Sequence, residues 1–357
     1  MRQATIYIDR EALQYNLNRV KQLAPKAQII SMVKANAYGH GVKNCLAALQ
    51  HSDGFGVACL TEALEIRQLG YQQPITLIEG VFSEAEMITA IENNCECVIH
   101  QQQQIDWLYQ HQTAYQAKKL KVWVKLNSGM NRLGFKYDEI IPLIKTLQKD
   151  GFTCVLTMHF ANADADHPLN EQQKNQFLTI RSQCMPILAS CCNSAALFKW
   201  PELHFDFVRP GIMLYGASPF AHQNCHQLDL KPVMSFSAEI IAINHIEKGE
   251  FVGYGSTFVA KKAMRLGIVS IGYGDGYPRA FLEQNYVVVE NQLAPLVGRV
   301  AMDMIAIDLT DFSEDIGLGT YVELWGKQRL VDDVATANGT IGYELLCRLT
   351  NRPMRTI

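Results

Sequence analysis

Eight short apolar runs, separated by amphipathic segments of helical length, lie along the chain between residues 29 and 208. The runs cover residues 29–33, 55–59, 75–78, 97–99, 121–126, 154–159, 187–189 and 205–208. Alternation of apolar strands with helices predicts parallel strands joined by right-handed crossovers. Eight such units can close into a (β/α)8 barrel of the TIM type with a filled interior. An open, doubly wound sheet is the main alternative.

The pattern changes near residue 230. Short alternating runs then predict strands at 237–244, 265–271, 286–289, 304–309 and 321–324, and helices follow at 331–337 and 342–349. The predicted fold class is therefore α/β, with an N-terminal barrel followed by a mostly β C-terminal domain. We expect an N-terminal strand at 1–8 that pairs with the C-terminal domain, the barrel at 9–230 and the β domain at 231–357.

The composition narrows the class of protein. The chain has 357 residues, of which 48% are hydrophobic and 19% charged, and a net charge of -3. These values are ordinary for a soluble globular protein and give no indication of nucleic acid as a partner. No segment is long and apolar enough to span a bilayer, so we expect a cytoplasmic protein without membrane contact. The ten cysteines lack a C-x-x-C pair, and we expect reduced thiols. A glutamine run at 101–104 is expected on a helix surface.

Lys34 ends the first apolar run, and small residues, Tyr38, Gly39 and Gly41 follow it. A lysine at the carboxyl end of a buried strand costs free energy unless it is paired, solvated or neutral. Burial also lowers the pKa of the amine towards the range in which it acts as a nucleophile. A lysine with a buried stem and a solvated amine is an equally weighted alternative.

Polar residues follow several of the predicted barrel strands, at the edge where barrels of this kind carry their active sites. They are Lys34, Lys125, Asn127, Met130, Arg132, His159, Asn193, Ser194, Arg209, Gly211 and Ile212. Loops after strands 7 and 8 commonly bind phosphate, which suits Ser194 and the Arg209–Ile212 turn. Taken singly, Ser194 is more simply a helix N-cap, and Arg209 could form a surface ion pair. Together with a lysine, they suggest pyridoxal phosphate (PLP) held as a Schiff base.

Seven motifs stand in the order, spacing and context of the bacterial alanine racemase family, PLP enzymes of fold type III. They are VKANAYGHG, KLNSGMNRLGF, MHFANAD, VRPGIMLYG, GYGSTF, GYGDGYPR and GRVAMDM. The chain resembles that family over nearly its whole length. The resemblance implies an isomerase that interconverts L- and D-alanine and supplies D-alanine for peptidoglycan or, in a catabolic form, degrades it.

The resemblance also implies roles at the cofactor. Lys34 would carry PLP, and its phosphate would be held by Tyr38, Ser194, Gly211, Ile212 and Tyr343. Arg132 would bind the phenolic oxygen, His159 would pack beside the ring, and Asn193 would also bind the cofactor. Arg209 would face the pyridine nitrogen. Because a guanidinium does not release its proton in proteins, that nitrogen should stay unprotonated, which would limit side reactions such as transamination.

Racemisation needs a proton removed from one face of Cα and another delivered to the opposite face. By resemblance, Lys34 is one base and Tyr254 is the other. In the family this tyrosine comes from the other subunit, which implies a homodimer with shared active sites. From the residues alone, Tyr254 is more simply an aromatic residue at a strand edge.

Other residues would border the substrate or tune the site. By resemblance, Met302, Asp303, Arg132 and Tyr273 contact substrate, with Arg299 near the entrance. Lys125 matches a lysine that is carbamylated in many members, with an ordinary ion-paired lysine as the alternative. Asn127 stands where the family usually has aspartate. His159, Asp164, Asp166 and His167 lack a recognisable ligand spacing, so no metal is expected.

Two other functions are weighed against racemisation. A barrel-type PLP decarboxylase would need an acid, rather than Arg209, at the pyridine nitrogen. A non-catalytic PLP-binding protein would have no use for a second base.

The GYGDGY segment resembles a nucleotide loop but lacks the G-x-G-x-x-G spacing.

Overall fold

A computed structural model describes residues 4–280 and 285–357 of the chain. These residues divide into two compact units. One unit contains residues 16–37 and 46–214 and is called the barrel unit. The other contains residues 4–15, 38–45, 215–280 and 285–357 and is called the β unit. Residues 1–3 of the predicted N-terminal strand lie outside the described residues.

The barrel unit is built on eight parallel strands, β2 to β9 in chain order. They are Gln28–Met32, Gly54–Val57, Ile75–Leu77, Cys95–Ile99, Lys121–Lys125, Thr153–Thr157, Leu188–Ser190 and Phe207–Val208. Each strand from β2 to β8 pairs with the next, and β9 pairs with β2. Between β8 and β9, the amides of Asp206 and Arg209 donate to the carbonyls of Ala189 and Cys192 at 3.2 and 2.9 Å. The sheet is therefore closed, as the eight runs predict.

The interior of the barrel is filled by large apolar side chains. Ile30, Val98, Trp123, Val155 and Phe207 form one buried cluster. Their strands are buried along nearly their whole length, as expected when helices cover a parallel sheet. The interior is thus packed, and it also holds the buried carboxylate of Glu96, which accepts hydrogen bonds from Lys121 and Trp123.

One helix precedes β2, and others connect the barrel strands. They are Arg10–Leu23, Val42–Cys45, Leu60–Gln68, Glu84–Glu92, Gln102–Gln110, Gln112–Ala117, Tyr137–Lys149, Pro168–Gln183 and Ser194–Lys199. Asp9 caps the first of them by accepting the amide of Ala12 at 2.9 Å. Gln104 is an exception to the expected surface position of the glutamine run. It is fully buried, because its side chain bonds the amide of His100 and the carbonyl of Val81.

The β unit contains a closed sheet of mostly antiparallel strands. They are Thr5–Ile8 (β1), Met234–Ile246 (β10), Met264–Val269 (β13), Tyr286–Val289 (β14), Gln292–Val297 (β15), Ile305–Asp308 (β16), Tyr321–Trp325 (β17) and Met354–Thr356 (β18), with a separate hairpin of Phe251–Val252 (β11) and Phe258–Val259 (β12). Strand β10 pairs with β17 through its first half and with β13 through its second, with a bulge between Ile240 and Ala242. Strand β1 lies between β10 and β18.

Two helices, Val331–Ala337 and Gly342–Cys347, complete the β unit. The predicted fold class, a TIM-type barrel followed by a mostly β domain, is confirmed. All ten cysteines are free thiols. In the described ranges, no helix is both long and apolar enough to cross a membrane, and no group of three or more metal-ligating side chains is assembled.

Candidate active site

Lys34 follows β2 and begins a turn with left-handed helical geometry. Ala35, Asn36, Ala37 and Tyr38 all have φ between 51° and 54°. Each residue of this kind costs about 1–2 kcal/mol relative to the right-handed form, because Cβ crowds the following carbonyl. Four in succession persist only where the surroundings over-determine the backbone. The strain therefore lies next to the half-buried lysine that the sequence singles out.

Backbone contacts hold both ends of this turn. The amide of Val33 donates to the carbonyl of Gly56 at 2.9 Å, which extends the pairing of β2 with β3. The amide of Ala37 donates to the carbonyl of Val33, also at 2.9 Å. The chain thus leaves the sheet in a fixed direction, and the position of Lys34 is fixed with it.

Four cations lie near one another at the carboxyl ends of the barrel strands: Lys34, Lys125, Arg132 and Arg209. Lys125 is 7% exposed, and no described carboxylate forms an ion pair with its amine. Burial, followed by the positive charges of Arg209, Arg132 and Lys34, lowers the pKa of Lys125 from 10.5 to about 7; Glu79 opposes this shift. The ion pair of an ordinary lysine, considered above, is thus not found among residues 4–280 and 285–357. Near pH 7 much of the Lys125 amine is neutral.

His159 follows β7 and lies near the same four cations. Burial, together with the charges of Arg209, Lys125 and Arg132, keeps the pKa of its imidazole well below the ordinary value. The ring is therefore neutral at physiological pH. Its Nε2 lies 3.5 Å from Nδ2 of Asn193, the residue that caps the helix Ser194–Lys199.

Arg209 is buried after β9 and has no carboxylate partner in the described chain. Its two terminal nitrogens donate to Oγ of Ser190 at 2.5 Å and to the carbonyl of Met158 at 2.6 Å. The surface ion pair considered from the sequence is therefore wrong. Two neutral acceptors orient the guanidinium and leave its charge uncompensated.

Ser194, which follows β8, is hydrogen-bonded to the segment after β9. Oγ of the buried Ser194 accepts the amides of Gly211 at 2.9 Å and Met213 at 3.4 Å. Its hydroxyl proton is thus available for an acceptor outside that segment. Among the described residues none accepts the amide of Ile212, which is also buried. A phosphate group would satisfy both donors.

These features can be tested against the cofactor that the sequence suggests. The site has an excess of positive charge, a lysine amine at a strand end, and, after strands β8 and β9, two donors with no acceptor among the described residues. Lys125 and Arg209 are buried in this cluster, and buried cations are stabilised by an anion. PLP supplies an aldehyde for the amine and a phosphate for the donors, so the residues fit it.

Other predicted cofactor contacts belong to the β unit. The ring of Tyr38 stacks on Tyr215 with centroids 4.9 Å apart and lies 6.2 Å from Tyr343. Burial, then the proximity of Tyr343 and Cys347, raises the pKa of the Tyr38 phenol. Tyr38 therefore keeps its proton and can donate a hydrogen bond.

Tyr254 lies on the exposed surface of the β unit. It begins the short turn Tyr254–Ser256 after β11 and is 69% exposed. Tyr254 and Arg299 both line a mostly apolar cavity of about 410 Å³. The Arg299 guanidinium passes close to Gly255, since a Cβ built there would lie 3.0 Å from one of its nitrogens. Tyr254 is thus outside a strand and accessible to a partner or ligand.

Tyr273, Met302 and Asp303 are brought together by two adjoining loops of the β unit. The amide of Tyr273 donates to the carbonyl of Ala301 at 3.1 Å, and the amide of Gly274 to the carbonyl of Met302 at 2.9 Å. Arg352 donates to Asp303 at 2.6 Å. These predicted substrate contacts therefore share one surface.

Sequence reasoning missed two residues that orient the predicted ones. Ser190 holds Arg209, and Glu62 bonds the amide of Ala35 beside Lys34. A serine inside a strand and a glutamate in the first turn of a helix are both common, so neither residue type nor spacing marks them. Their partners are distant in sequence and become visible only in the fold.

Comparison with known proteins identifies the family of the chain. The family model described as alanine racemase, N-terminal domain, matches residues 8–219, and that described as alanine racemase, C-terminal domain, matches residues 233–357. The chain is 49% identical to an alanine racemase of Psychrobacter sp. (strain PRwf-1) over 374 aligned positions, with all of both chains covered.

Solved structures give the same result. An alanine racemase from Acinetobacter baumannii is 73% identical, with a TM-score of 0.98 over 100% of this chain and 99% of that one. An alanine racemase from Bartonella henselae, described with covalently bound pyridoxal phosphate, is 30% identical, with a TM-score of 0.88 and 99% of each chain covered. On full-length agreement of sequence and fold, this chain belongs to the alanine racemase family, isomerases dependent on PLP.

Proposed function

We propose that this chain interconverts L- and D-alanine with PLP, using Lys34 and Tyr254 as bases. The observation that carries the proposal is the placement of Lys34 on a strained turn near Lys125 and Arg209, two buried cations for which no described carboxylate forms an ion pair. Family membership supports alanine as substrate. It gives no support to a decarboxylase or a non-catalytic carrier. A cytoplasmic location and a role in supplying D-alanine for peptidoglycan, or in degrading it, accord with this proposal.

The cofactor would be bound covalently by Lys34. Its phosphate would accept hydrogen bonds from Ser194, Gly211, Ile212, Tyr38 and Tyr343. Arg132 would bind the phenolic oxygen, His159 would lie beside the ring, and Asn193 would also contact the cofactor. Once bound, PLP would withdraw electrons from Cα of the amino acid and so acidify its proton.

Arg209 would face the pyridine nitrogen. Its bonds to Ser190 and Met158 fix the guanidinium, and a guanidinium keeps its proton. It would therefore donate a hydrogen bond without transferring a proton to the ring. We propose that this restraint favours return of a proton to Cα over transamination.

Lys34 and Tyr254 would work on opposite faces of Cα. One accepts the Cα proton from its side and the other donates a proton from its own, which inverts the configuration. The reverse reaction exchanges the two roles. Met302, Asp303, Tyr273 and Arg132 would hold the substrate so that both faces stay within reach of a base, and Arg299 would line the approach.

We also propose that Lys125 is carbamylated. Its pKa of about 7 leaves a neutral amine that can attack carbon dioxide. A C–N bond forms, the amine releases a proton to water, and the product carries a negative charge. That charge would offset the neighbouring cations and orient Arg132. Asn127, whose Oδ1 accepts the amides of Gly129 and Asn131, would add no charge of its own.

The working unit would be a homodimer in which each subunit supplies Tyr254 to the other. The exposed large apolar residues of the β unit support a protein interface on that unit. They include Phe251, Tyr254, Val259, Met302 and Met304. Burying such residues against a second subunit removes apolar area from water.

Exchange of the Cα proton into heavy water tests the proposed activity. The holoenzyme should exchange the Cα proton of both alanine enantiomers and convert each into the other. A carrier would exchange neither, and a decarboxylase would release carbon dioxide. Borohydride should fix the cofactor on the peptide containing Lys34 and leave Lys34→Ala unlabelled. Labelling of another lysine in the wild-type chain would overturn the assignment.

A further inference from the structure

We propose that Glu62 is a positioning residue that fixes the orientation of Lys34. Glu62 lies in the first turn of the helix Leu60–Gln68, after β3. It does not touch the reacting atoms in this proposal. It acts through the backbone of the turn that carries Lys34, and the inference rests on the proposed role of that lysine.

The two carboxylate oxygens of Glu62 bind two different strand ends. Oε1 accepts the amide of Ala35 at 2.7 Å, and Oε2 accepts the amide of Ala58 at 2.8 Å. Ala35 follows β2 and Ala58 follows β3. One side chain thus joins the ends of two neighbouring barrel strands at the edge where Lys34 lies.

The bond to Ala35 occurs where the backbone is strained. Ala35 is the first of the four left-handed residues, and amides in the first turn of any helix lack a partner within it. A carboxylate is a stronger acceptor for such an amide than a neutral group. Because the left-handed form is intrinsically unfavourable for alanine, this bond selects a conformation that the local sequence disfavours.

Lys34 needs this control more than an ordinary lysine does. In the proposed reaction it first holds the cofactor and then moves a proton at one face of Cα. Proton transfer requires donor and acceptor to be within hydrogen-bond reach, whereas binding of alanine depends on other groups. Loss of the Glu62 bonds should therefore lower kcat more than it raises KM.

The test compares Glu62→Gln and Glu62→Asp with Glu65→Gln in the holoenzyme. The Glu62→Gln variant would offer one acceptor oxygen for two amides, and the Glu62→Asp variant would keep the charge on a shorter side chain. Glu65 lies on the same helix, is exposed, and has no side-chain hydrogen bond in the described chain. Glu65→Gln therefore removes an equal charge without touching the turn.

We expect Glu62→Gln to lower kcat by about 10- to 100-fold with a small change in KM. Hydrogen exchange of the peptides containing Ala35 and Ala58 should accelerate, and loss of the cofactor from Lys34 should become faster. Glu62→Asp should fall between Glu62→Gln and the wild type, and Glu65→Gln should match the wild type. If Glu62→Gln does not fold, the same three measurements are made on Glu62→Asp: kcat with KM, hydrogen exchange, and the rate of cofactor loss.

Wild-type values of kcat and hydrogen exchange in a folded Glu62 variant would overturn the role of Glu62, as would equal effects in Glu65→Gln. These results would leave the proposed function intact if borohydride still labels Lys34. Failure to label Lys34 in the wild-type protein would overturn the proposed function itself.

Discussion

At the scale of single residues, burial without an acidic partner determines what Lys125 can do. In water an amine of pKa 10.5 is almost fully protonated at pH 7 and does not react with carbon dioxide. At a pKa of about 7, roughly half of it is neutral at that pH. Burial is the largest cause of the lowered pKa and charge repulsion from Arg209 and Arg132 adds to it, so burial and the neighbouring cations together make this amine a nucleophile.

We predict that carbon dioxide labelled with carbon-13 forms a carbamate on Lys125 of the wild-type enzyme. Because only the neutral amine reacts, the NMR signal should grow as the pH rises through about 7, and fall on acidification. Lys125→Arg keeps a positive charge and should lack the signal. An equal signal in both proteins would assign the carbamate to a different amine.

Tyr254 should act on one face of the substrate only. We predict that Tyr254→Phe slows exchange of the Cα proton of L-alanine by about 10²- to 10⁴-fold, the usual contribution of a general base. Removal of the proton from D-alanine, assigned to Lys34, should suffer far less. Isotope exchange of each enantiomer, measured separately by NMR, provides its own control. Equal losses for the two enantiomers would contradict this assignment of faces.

At the scale of secondary structure elements, the barrel strands were predictable because burial on both faces leaves uninterrupted apolar runs. The turn after Lys34 was not predictable. Alanine and tyrosine have no preference for the left-handed region, and this geometry depends on Gly56 and Glu62, which lie far along the chain. The cationic cluster is a similar case, because its members were predictable from strand ends but the pKa of Lys125 depends on packing.

Gly39 follows Tyr38 at the end of this turn, and because it has no side chain the backbone of Leu346 can approach it closely. Its φ is +78°, and a Cβ there would collide with the carbonyl oxygen of Leu346. We predict that Gly39→Ala lowers the free energy of unfolding by about 3 kcal/mol or more, since strain and a clash with backbone add. Chemical denaturation of the holoenzyme measures the loss.

Gly70 offers a matched control for that substitution. Its φ is +90°, yet no atom lies within 4 Å of a Cβ built on it. Gly70→Ala should therefore cost only the backbone strain, about 1 kcal/mol. Similar losses for the two variants would mean that the contact with Leu346 contributes nothing.

At the scale of the whole molecule, the proposed shared active sites can be tested by mixing inactive variants. Lys34→Ala and Tyr254→Phe should each impair both sites of their own dimer. After subunit exchange, about half of the dimers would be mixed, and each would regain one site with both bases. We therefore predict recovery of about a quarter of wild-type activity. No recovery, despite exchange verified by mass spectrometry, would indicate that each subunit supplies both bases to itself.

The pairing of β1 with β18 has a consequence for synthesis of the chain. Thr5–Ile8 is translated before the barrel strands, whereas its parallel neighbour Met354–Thr356 and its antiparallel neighbour Met234–Ile246 are translated after them. In the sequence, all eight barrel strands come after β1 and before those two partners. The barrel strands can therefore pair while the first strand is still an open edge, and that edge gains its second neighbour only when translation reaches Met354–Thr356.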